Sequence, residues 1–243
     1  MNQVQVFANS RFVFWMAFAC AVTTLVTFAI AIMTPPLSGP FCKAGCFQYP
    51  YLDIASRFPR DYYWMFPAMI SNLFFVALMV GLHYRAEACR RVFSMFALII
   101  SSMSALVLIG DYFVQVSVIQ PSVLAKESDG VSLLTQFNPH GLFIALEELG
   151  YLLMSLAMAS IAFALSKASL LERVVRWIFI GQAVLAIVLL VTIAGFMGHA
   201  REYVFEVAII SVAWLALIAG AGMLSVVLRR DIPRKAERIQ QRQ

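Results

Sequence analysis

Long apolar stretches separated by short polar segments are the dominant pattern along this chain. An α-helix needs about 20 apolar residues to cross a hydrocarbon core of about 30 Å, and these stretches have that length. They are continuous, whereas the strands of a membrane barrel would alternate apolar and polar residues. The pattern therefore predicts an all-α fold, a polytopic bundle of six transmembrane helices. The spans are placed at Phe12 to Met33, Tyr62 to Leu82, Val92 to Val116, Gly141 to Leu165, Val174 to Met197 and Tyr203 to Leu228.

Composition agrees with a membrane protein. Hydrophobic residues make up 62% of the chain and charged residues 13%, against about a quarter charged in soluble domains. The first stretch is also compatible with a cleaved signal peptide. Its apolar part is longer than a signal core, however, and the exit Met33-Thr34-Pro35-Pro36 lacks a small-x-small cleavage pattern. We therefore expect a retained helix.

The distribution of basic residues predicts the orientation. Thirteen of the 18 lysines and arginines fall on one side of the predicted spans, and this side is expected to be cytoplasmic. Residues 1–228 then form one transmembrane domain with both termini in the cytoplasm, in a plasma (inner) membrane. The basic tail, 229–243, is either an ordinary orientation signal or a site for anionic lipid. It lacks the aromatic residues that nucleic-acid-binding surfaces use.

The connections differ between the two sides. On the cytoplasmic side they are short, whereas the outer loops, 34–61 and 117–140, are long enough to fold over the bundle. The first outer loop is rich in prolines, glycines and interfacial aromatic residues. It is predicted to form a cap.

A cysteine pair lies within this predicted cap. Cys42 and Cys46 would face an oxidising space, and the intervening Gly45 favours a tight turn, so a disulfide is the simplest interpretation. Redox catalysis is an alternative, although it usually uses Cys-x-x-Cys. A metal site would need two further ligands, and none stands nearby in the sequence.

Polar residues of the third span share one face. Their spacing of 7, 3, 7 and 4 places them within a sector of roughly 100°. The serines favour a packing seam between helices, but a carboxylate inside a span needs a cation, a proton or water. These residues are Ser94, Ser101, Ser104, Asp111 and Gln115.

The fourth span carries two adjacent carboxylates. We expect Asn138 to cap this helix and Pro139 to occupy its first turn. Glu147 shares a face with His140 and Tyr151, whereas Glu148 lies on a neighbouring face of mostly small residues. As an alternative, fixed arginine partners neutralise these acids and the ion pairs only hold helices in register. The candidate partners are Arg57, Arg60 and Arg201.

These residues define a candidate ligand or ion site in the outer half of the bundle. We predict that its members are Asn72, Asp111, Gln115, His140, Glu147, Glu148 and Tyr151. Secondary contributors are Gln182, Thr192, Arg201 and Glu206. His199 is expected at the headgroup level, and no metal, cofactor or nucleotide motif is predicted.

Three classes of function are consistent with this pattern. The first is binding or transport of a small molecule or cation from the outside, with possible proton coupling, because an acidic lining favours cations. The second is an accessory role in which the polar stripe binds another membrane protein or a second copy. The third is a membrane-embedded enzyme acting on a lipid-like substrate, with an acid pair as general acid and base. The first is preferred, which favours a role other than catalysis and leaves the enzyme class open.

Overall fold

The computed structural model describes residues 3–240, and the side chains of residues 10–198 and 200–230. All regular structure in this part of the chain is helical. The long helices are α1 (Gln3–Met33), α2 (Met65–Arg85), α3 (Arg91–Val114), α6 (Leu142–Ala164), α7 (Leu170–Met197) and α8 (Glu202–Gln240). The short helices are α4 (Gln120–Leu124) and α5 (Val131–Leu134).

Within the described residues, six helical segments are long and apolar enough to cross a membrane, which is compatible with an integral membrane protein. The segments are Ser10–Met33, Arg60–Arg85, Ala88–Leu124, Leu142–Ala164, Leu170–Met197 and Glu202–Arg230. They agree with the predicted spans to within a few residues, except that the third runs further. A π-helical turn, Gln115–Ile119, connects α3 to α4, and the helix therefore continues to Leu124.

The start of α6 also differs from the prediction. Asn138 does not cap the helix, because its side-chain oxygen accepts a hydrogen bond from the His140 backbone N–H in a local turn. The helix begins at Leu142, after Gly141. By contrast, α7 starts at a capping box in which Ser169 and Glu172 each bond to the backbone N–H of the other.

Five of the long helices form a closed ring. Around the ring α1 packs on α2, α2 on α3, α3 on α6, α6 on α8, and α8 on α1. Helix α7 lies outside the ring, in contact with α6 and α8. It exposes a broad apolar surface that includes Trp177, Val191 and Phe196, as expected of a helix that faces lipid.

A glycine brings α3 and α6 into close contact. A Cβ atom at Gly150 would lie 2.5 Å from the side chain of Leu108. The Ser104 hydroxyl donates to the Gly150 carbonyl oxygen over 2.7 Å, as the predicted packing seam requires. This close contact fixes the spacing between α3 and α6 about one turn from Tyr112 and Glu147, which are considered below.

The two ends of the bundle differ. One end, called the capped end here, carries the long connections Thr34–Trp64 and Ala125–Gly141. The other, called the basic end, carries the short connections Ala86–Arg90 and Leu165–Ser169. The assignment of the basic end to the cytoplasm remains a prediction from the charge distribution. Of the basic tail, Arg229 and Arg230 are exposed, and the side chains beyond Arg230 lie outside the described part.

The first connection folds back over the capped end. Cys42 and Cys46 lie at disulfide-bonding distance, with sulfur atoms 2.02 Å apart. The Phe47 backbone N–H donates to the Leu37 carbonyl oxygen over 2.8 Å and closes this part of the loop. Arg57 then stacks over the Phe47 ring, 5.4 Å from its centroid. The cap is therefore a folded unit.

Candidate functional site

A cavity of about 310 Å³ lies at the capped end, beneath the first connection and between α1, α6 and α8. Its size is at the lower end of the range for small-molecule pockets. Apolar and aromatic side chains form most of the wall, and a small number of polar groups converge on it. The main lining residues are Phe28, Ile32, Asp61, Trp64, Gln136, Phe143, Glu147, Tyr203, Glu206, Val207, Ile210 and Trp214.

Two carboxyl groups from different helices meet at this cavity. Glu147 of α6 and Glu206 of α8 lie within side-chain hydrogen-bonding reach of each other. Glu147 is fully buried and Glu206 is 7% exposed. Apart from this mutual contact, Oε2 of each carboxyl group has no hydrogen-bond donor beside it among the described residues. Buried acceptors without a donor are destabilising, so this pair is suited to receive a cation or a proton from outside.

A chain of donors holds the other oxygen of Glu147. The Tyr112 hydroxyl donates to Glu147 Oε1 over 2.6 Å. Because that hydroxyl has one hydrogen, its 2.9 Å contact with the Tyr151 hydroxyl makes Tyr151 the donor of the next bond. The Trp214 ring packs edge-on against Tyr151, with 6.0 Å between the ring centroids. Both hydrogen bonds therefore point toward Glu147, which fixes the carboxyl group and leaves Oε2 available.

Aromatic rings surround the pair. The Trp64 ring lies 6.2 Å from the Trp214 ring and 5.1 Å from the Tyr112 ring, and Phe28 lies 5.9 Å from Trp214. Trp faces attract cations within about 6 Å of the ring centroid. The combination of aromatic walls with two carboxyl groups therefore has the chemistry that binds an organic ammonium.

A second polar point lies at the cap side of the cavity. Asp61 is 2% exposed, and neither carboxyl oxygen makes a hydrogen bond among the described residues. The Arg60 Nε atom lies 3.8 Å from Asp61 Oδ1, so this acid has a cation beside it. Gln136 contributes an amide whose nitrogen likewise has no hydrogen-bond partner within the described part of the chain. We therefore regard Glu147 and Glu206 as the main attraction for positive charge.

Of the residues predicted for the site, Glu147 lines the cavity and Tyr151 supports it through Tyr112. Asp111 is 4% exposed and interacts electrostatically with both Glu147 and Glu206. It does not belong to the cavity lining. One Asp111 oxygen, Oδ2, is buried without a hydrogen-bond partner among the described residues. Asp111 therefore places a third carboxyl group behind the pair.

Glu148 agrees with the alternative interpretation of these acids, in which an arginine neutralises the carboxylate. Its Oε2 atom accepts a hydrogen bond from Arg201 over 3.2 Å, in an ion pair between α6 and the start of α8. The arginine was one of the partners expected to neutralise an acid of this span. Because Arg201 pairs with Glu148, the neighbouring Glu147 is left to Tyr112 and Glu206.

The remaining predicted residues do not line the cavity. Gln115 donates to the Leu134 carbonyl oxygen over 2.6 Å and accepts from the Gln136 N–H over 3.0 Å, which ties the second loop to α3. His140 is largely exposed and contacts Glu202. Asn72 donates to the backbone carbonyl oxygen four residues before it. These three residues therefore lie apart from the wall of this cavity, and their part in a site stays a prediction.

Several lining residues were not in the predicted site. Glu206 was named only as a secondary contributor, because an acid one turn into a helix is also explained by the helix dipole. Trp64 and Trp214 were not singled out, since aromatic residues are common in membrane spans. The available signal was that Glu206, like Glu147, lies within one or two turns of the capped end. The side chain of His199 lies outside the described part.

Among the described residues, no group of three or more His, Cys, Asp or Glu side chains is arranged to hold a metal ion. Comparison with known proteins yields no match to a family model, to a curated protein or to a solved structure. The function therefore has to be argued from the cavity itself.

Proposed function

We propose that this membrane protein binds a small organic cation with an apolar body at its capped end. The observation that carries the proposal is the pair of unpartnered carboxyl oxygens, on Glu147 and Glu206, in an aromatic cavity of about 310 Å³. The carboxyl groups attract the positive charge, and the rings of Trp64 and Trp214 cover the apolar body. A protonated primary amine with an apolar body has the charge that the carboxyl groups attract and the surface that the rings cover.

Ligand binding is favoured over transport. On the side toward the basic end, the core beside the cavity is closed by fully buried or nearly fully buried side chains, including Met158, Ile161 and Leu217. Transport would need these helices to separate. We therefore expect full-length protein in sealed vesicles to bind an amine without moving it across the membrane. Uptake of radiolabelled benzylammonium that depends on the protein would contradict this expectation.

The direct test uses fluorescence from the cavity. Trp15 and Trp177 are 55% and 69% exposed on the outer surface. In full-length protein carrying Trp15→Phe and Trp177→Phe, Trp64 and Trp214 are the remaining tryptophans. This protein, in phosphatidylcholine nanodiscs, is titrated with benzylammonium, with neutral benzyl alcohol and with benzoate.

The cation should bind more tightly than the alcohol by at least about tenfold, because hydrogen bonds to a charged group contribute about 1.5 to 3 kcal/mol. Benzoate should not bind. Equal affinity for the cation and the alcohol would mean that the carboxyl groups do not select the ligand, and the proposal would fail.

A membrane enzyme is a second candidate, favoured by one observation. The carboxyl groups of Glu147 and Glu206 are adjacent at a cavity whose wall includes Ile32 and Val207, which are exposed on the lipid-facing surface. Such an arrangement suits acid and base catalysis on a lipid-like molecule. Mass spectrometry of a bound amine after prolonged incubation distinguishes the two. Recovery of the amine unchanged supports binding, and conversion that depends on Glu147 supports the enzyme.

A further inference from the structure

The cap closes the cavity toward the aqueous side. The short 3-10 helix Gly39–Phe41 lies across the top of α8. The Phe41 ring packs against Tyr203 at 5.8 Å. A Cβ atom at Gly39 would lie 3.2 Å from the Tyr203 ring and 3.5 Å from Pro139, and Gly39 has a φ of +66° that favours glycine. Glycine at this position lets the cap seat directly on the start of α8.

The cavity wall reaches the side of the bundle between α1 and α8. Ile32 of α1 is 68% exposed and Val207 of α8 is 39% exposed, yet both also line the cavity. Ile210 and Ser211 continue this rim along α8 and are half-buried. The opening is therefore bordered by apolar groups on a surface that lipid would cover, whereas the charged groups lie deep within.

Size limits what the cavity holds. A volume of about 310 Å³ accommodates a small headgroup, since pockets for whole drug-sized ligands run from about 300 to 1,000 Å³. A molecule with a long apolar chain fits only if the chain leaves through the opening. In the bilayer such a chain loses nothing by leaving, because its surroundings there are as apolar as the protein.

We propose that the ligand is a single-chain amphiphilic amine that comes from the bilayer, with its ammonium between Glu147 and Glu206 and its chain passing between Ile32 and Val207 into lipid. The proposal rests on the proposed function, because it uses the same carboxyl pair. It adds the class of ligand and the direction from which the ligand arrives.

The test compares chain lengths. Octyl-, dodecyl- and hexadecylammonium are titrated into the protein that retains only Trp64 and Trp214, in phosphatidylcholine nanodiscs, and affinity is expressed per mole fraction of amine in the bilayer. A chain that stays in lipid contributes equally to the free and bound states. The affinity should therefore stay within about threefold across the series. A fall of more than tenfold from octyl- to hexadecylammonium would overturn the proposal.

Substitution at the rim provides the second measurement. Val207→Trp should fill the opening and weaken dodecylammonium binding by about tenfold, more than it weakens benzylammonium binding, with both affinities measured by calorimetry so that the added tryptophan does not interfere. Val226→Trp is the matched control, since Val226 is a 44% exposed valine of the same helix outside the cavity lining. It should bind both amines as the unaltered protein does. Ile32→Trp repeats the test from α1 if the Val207 variant does not fold.

The outcomes separate this proposal from the proposed function. If benzylammonium binds and the long-chain amines do not, the site accepts small cations only and the amphiphile proposal is wrong. If Val207→Trp leaves dodecylammonium binding unchanged, the chain does not use this opening. If no amine binds, the proposed function itself fails.

Discussion

Polar side chains occur in both halves of the bundle, but their hydrogen bonding differs between the halves. Toward the basic end, several of them bond to one another or to the backbone. Ser160 donates to the Phe93 carbonyl oxygen over 2.8 Å, and the side chains of His83 and Ser94 bond over 2.9 Å. Toward the capped end, Glu147 and Glu206 each keep an oxygen that has no partner among the described residues.

This difference distinguishes polar side chains that pack helices together from polar side chains that can bind a ligand. Small hydroxyl groups that bond across a helix interface hold helices together without leaving space. Carboxyl groups with unused acceptors beside a cavity lack part of their bonding, which a ligand can supply. A polar residue within a span therefore indicates a site only when both an empty volume and an unused bond accompany it. The following changes test this contrast, in order of decreasing effect.

Removing the carboxyl pair should have the largest effect. The double variant Glu147→Gln with Glu206→Gln keeps the shape of the site and removes its negative charge. Benzylammonium affinity should fall roughly 30- to 150-fold, since bonds to a charged partner contribute about 2 to 3 kcal/mol. Calorimetry in nanodiscs measures this decrease in affinity. Glu127→Gln, at an exposed acid of the second loop, is the control and should bind as the unaltered protein does.

The second-largest effect is expected from adding a methyl group at the seam between α3 and α6. In Gly150→Ala the new Cβ would lie 2.5 Å from Leu108, and such overpacking typically costs about 1 to 3 kcal/mol. Thermal unfolding in detergent should show the loss, and binding should weaken as Tyr112 moves away from Glu147. Gly181→Ala meets no atom within 4 Å. If it is equally destabilising, the close contact is not the cause.

Removing the donor to Glu147 should have a moderate effect. Tyr112→Phe deletes the hydroxyl that donates to Glu147 Oε1 and accepts from Tyr151. A buried hydrogen bond contributes about 1 ± 0.5 kcal/mol, so benzylammonium should bind roughly 3- to 10-fold less tightly. The fluorescence titration measures this change. Unaltered affinity would show that the donor chain does not position the carboxyl group.

Deleting a hydroxyl in the other half should have the smallest effect. Ser160→Ala removes the bond to the Phe93 carbonyl oxygen, and hydrogen bonds between membrane helices average about 0.6 kcal/mol. We expect a small decrease in thermal stability and no change in benzylammonium affinity. A binding defect as large as that of Tyr112→Phe would remove the distinction between the two halves.

Much of the fold could be predicted from the sequence, because hydropathy is a local property. The predicted spans and the helical segments agree closely, and the cysteine pair lies at bonding distance. The error at Asn138 came from a competing local bond, since an Asx turn and a helix cap use the same side-chain oxygen. The extension of α3 to Leu124 through a π-turn likewise had no clear signal in an apolar stretch.

The candidate site was harder to predict from the sequence than the fold. Glu147 and Glu148 are adjacent in the sequence and point to different neighbours, so their roles depend on which helix lies beside each face. Arg201 neutralises one, whereas Tyr112 and Glu206 surround the other. No spacing within a single helix contains that information.

From the sequence alone one can count the apolar helices of the described residues, place their ends to within a few residues except where the third span runs on to Leu124, and find the carboxyl groups inside them. Those properties follow from the length and polarity of continuous segments. Packing between helices determines which polar groups are satisfied, leaves a cavity at the capped end and brings the cavity wall to the surface between α1 and α8. Hydrogen-bond satisfaction and empty volume depend on contacts between helices far apart in the chain, which no local pattern contains.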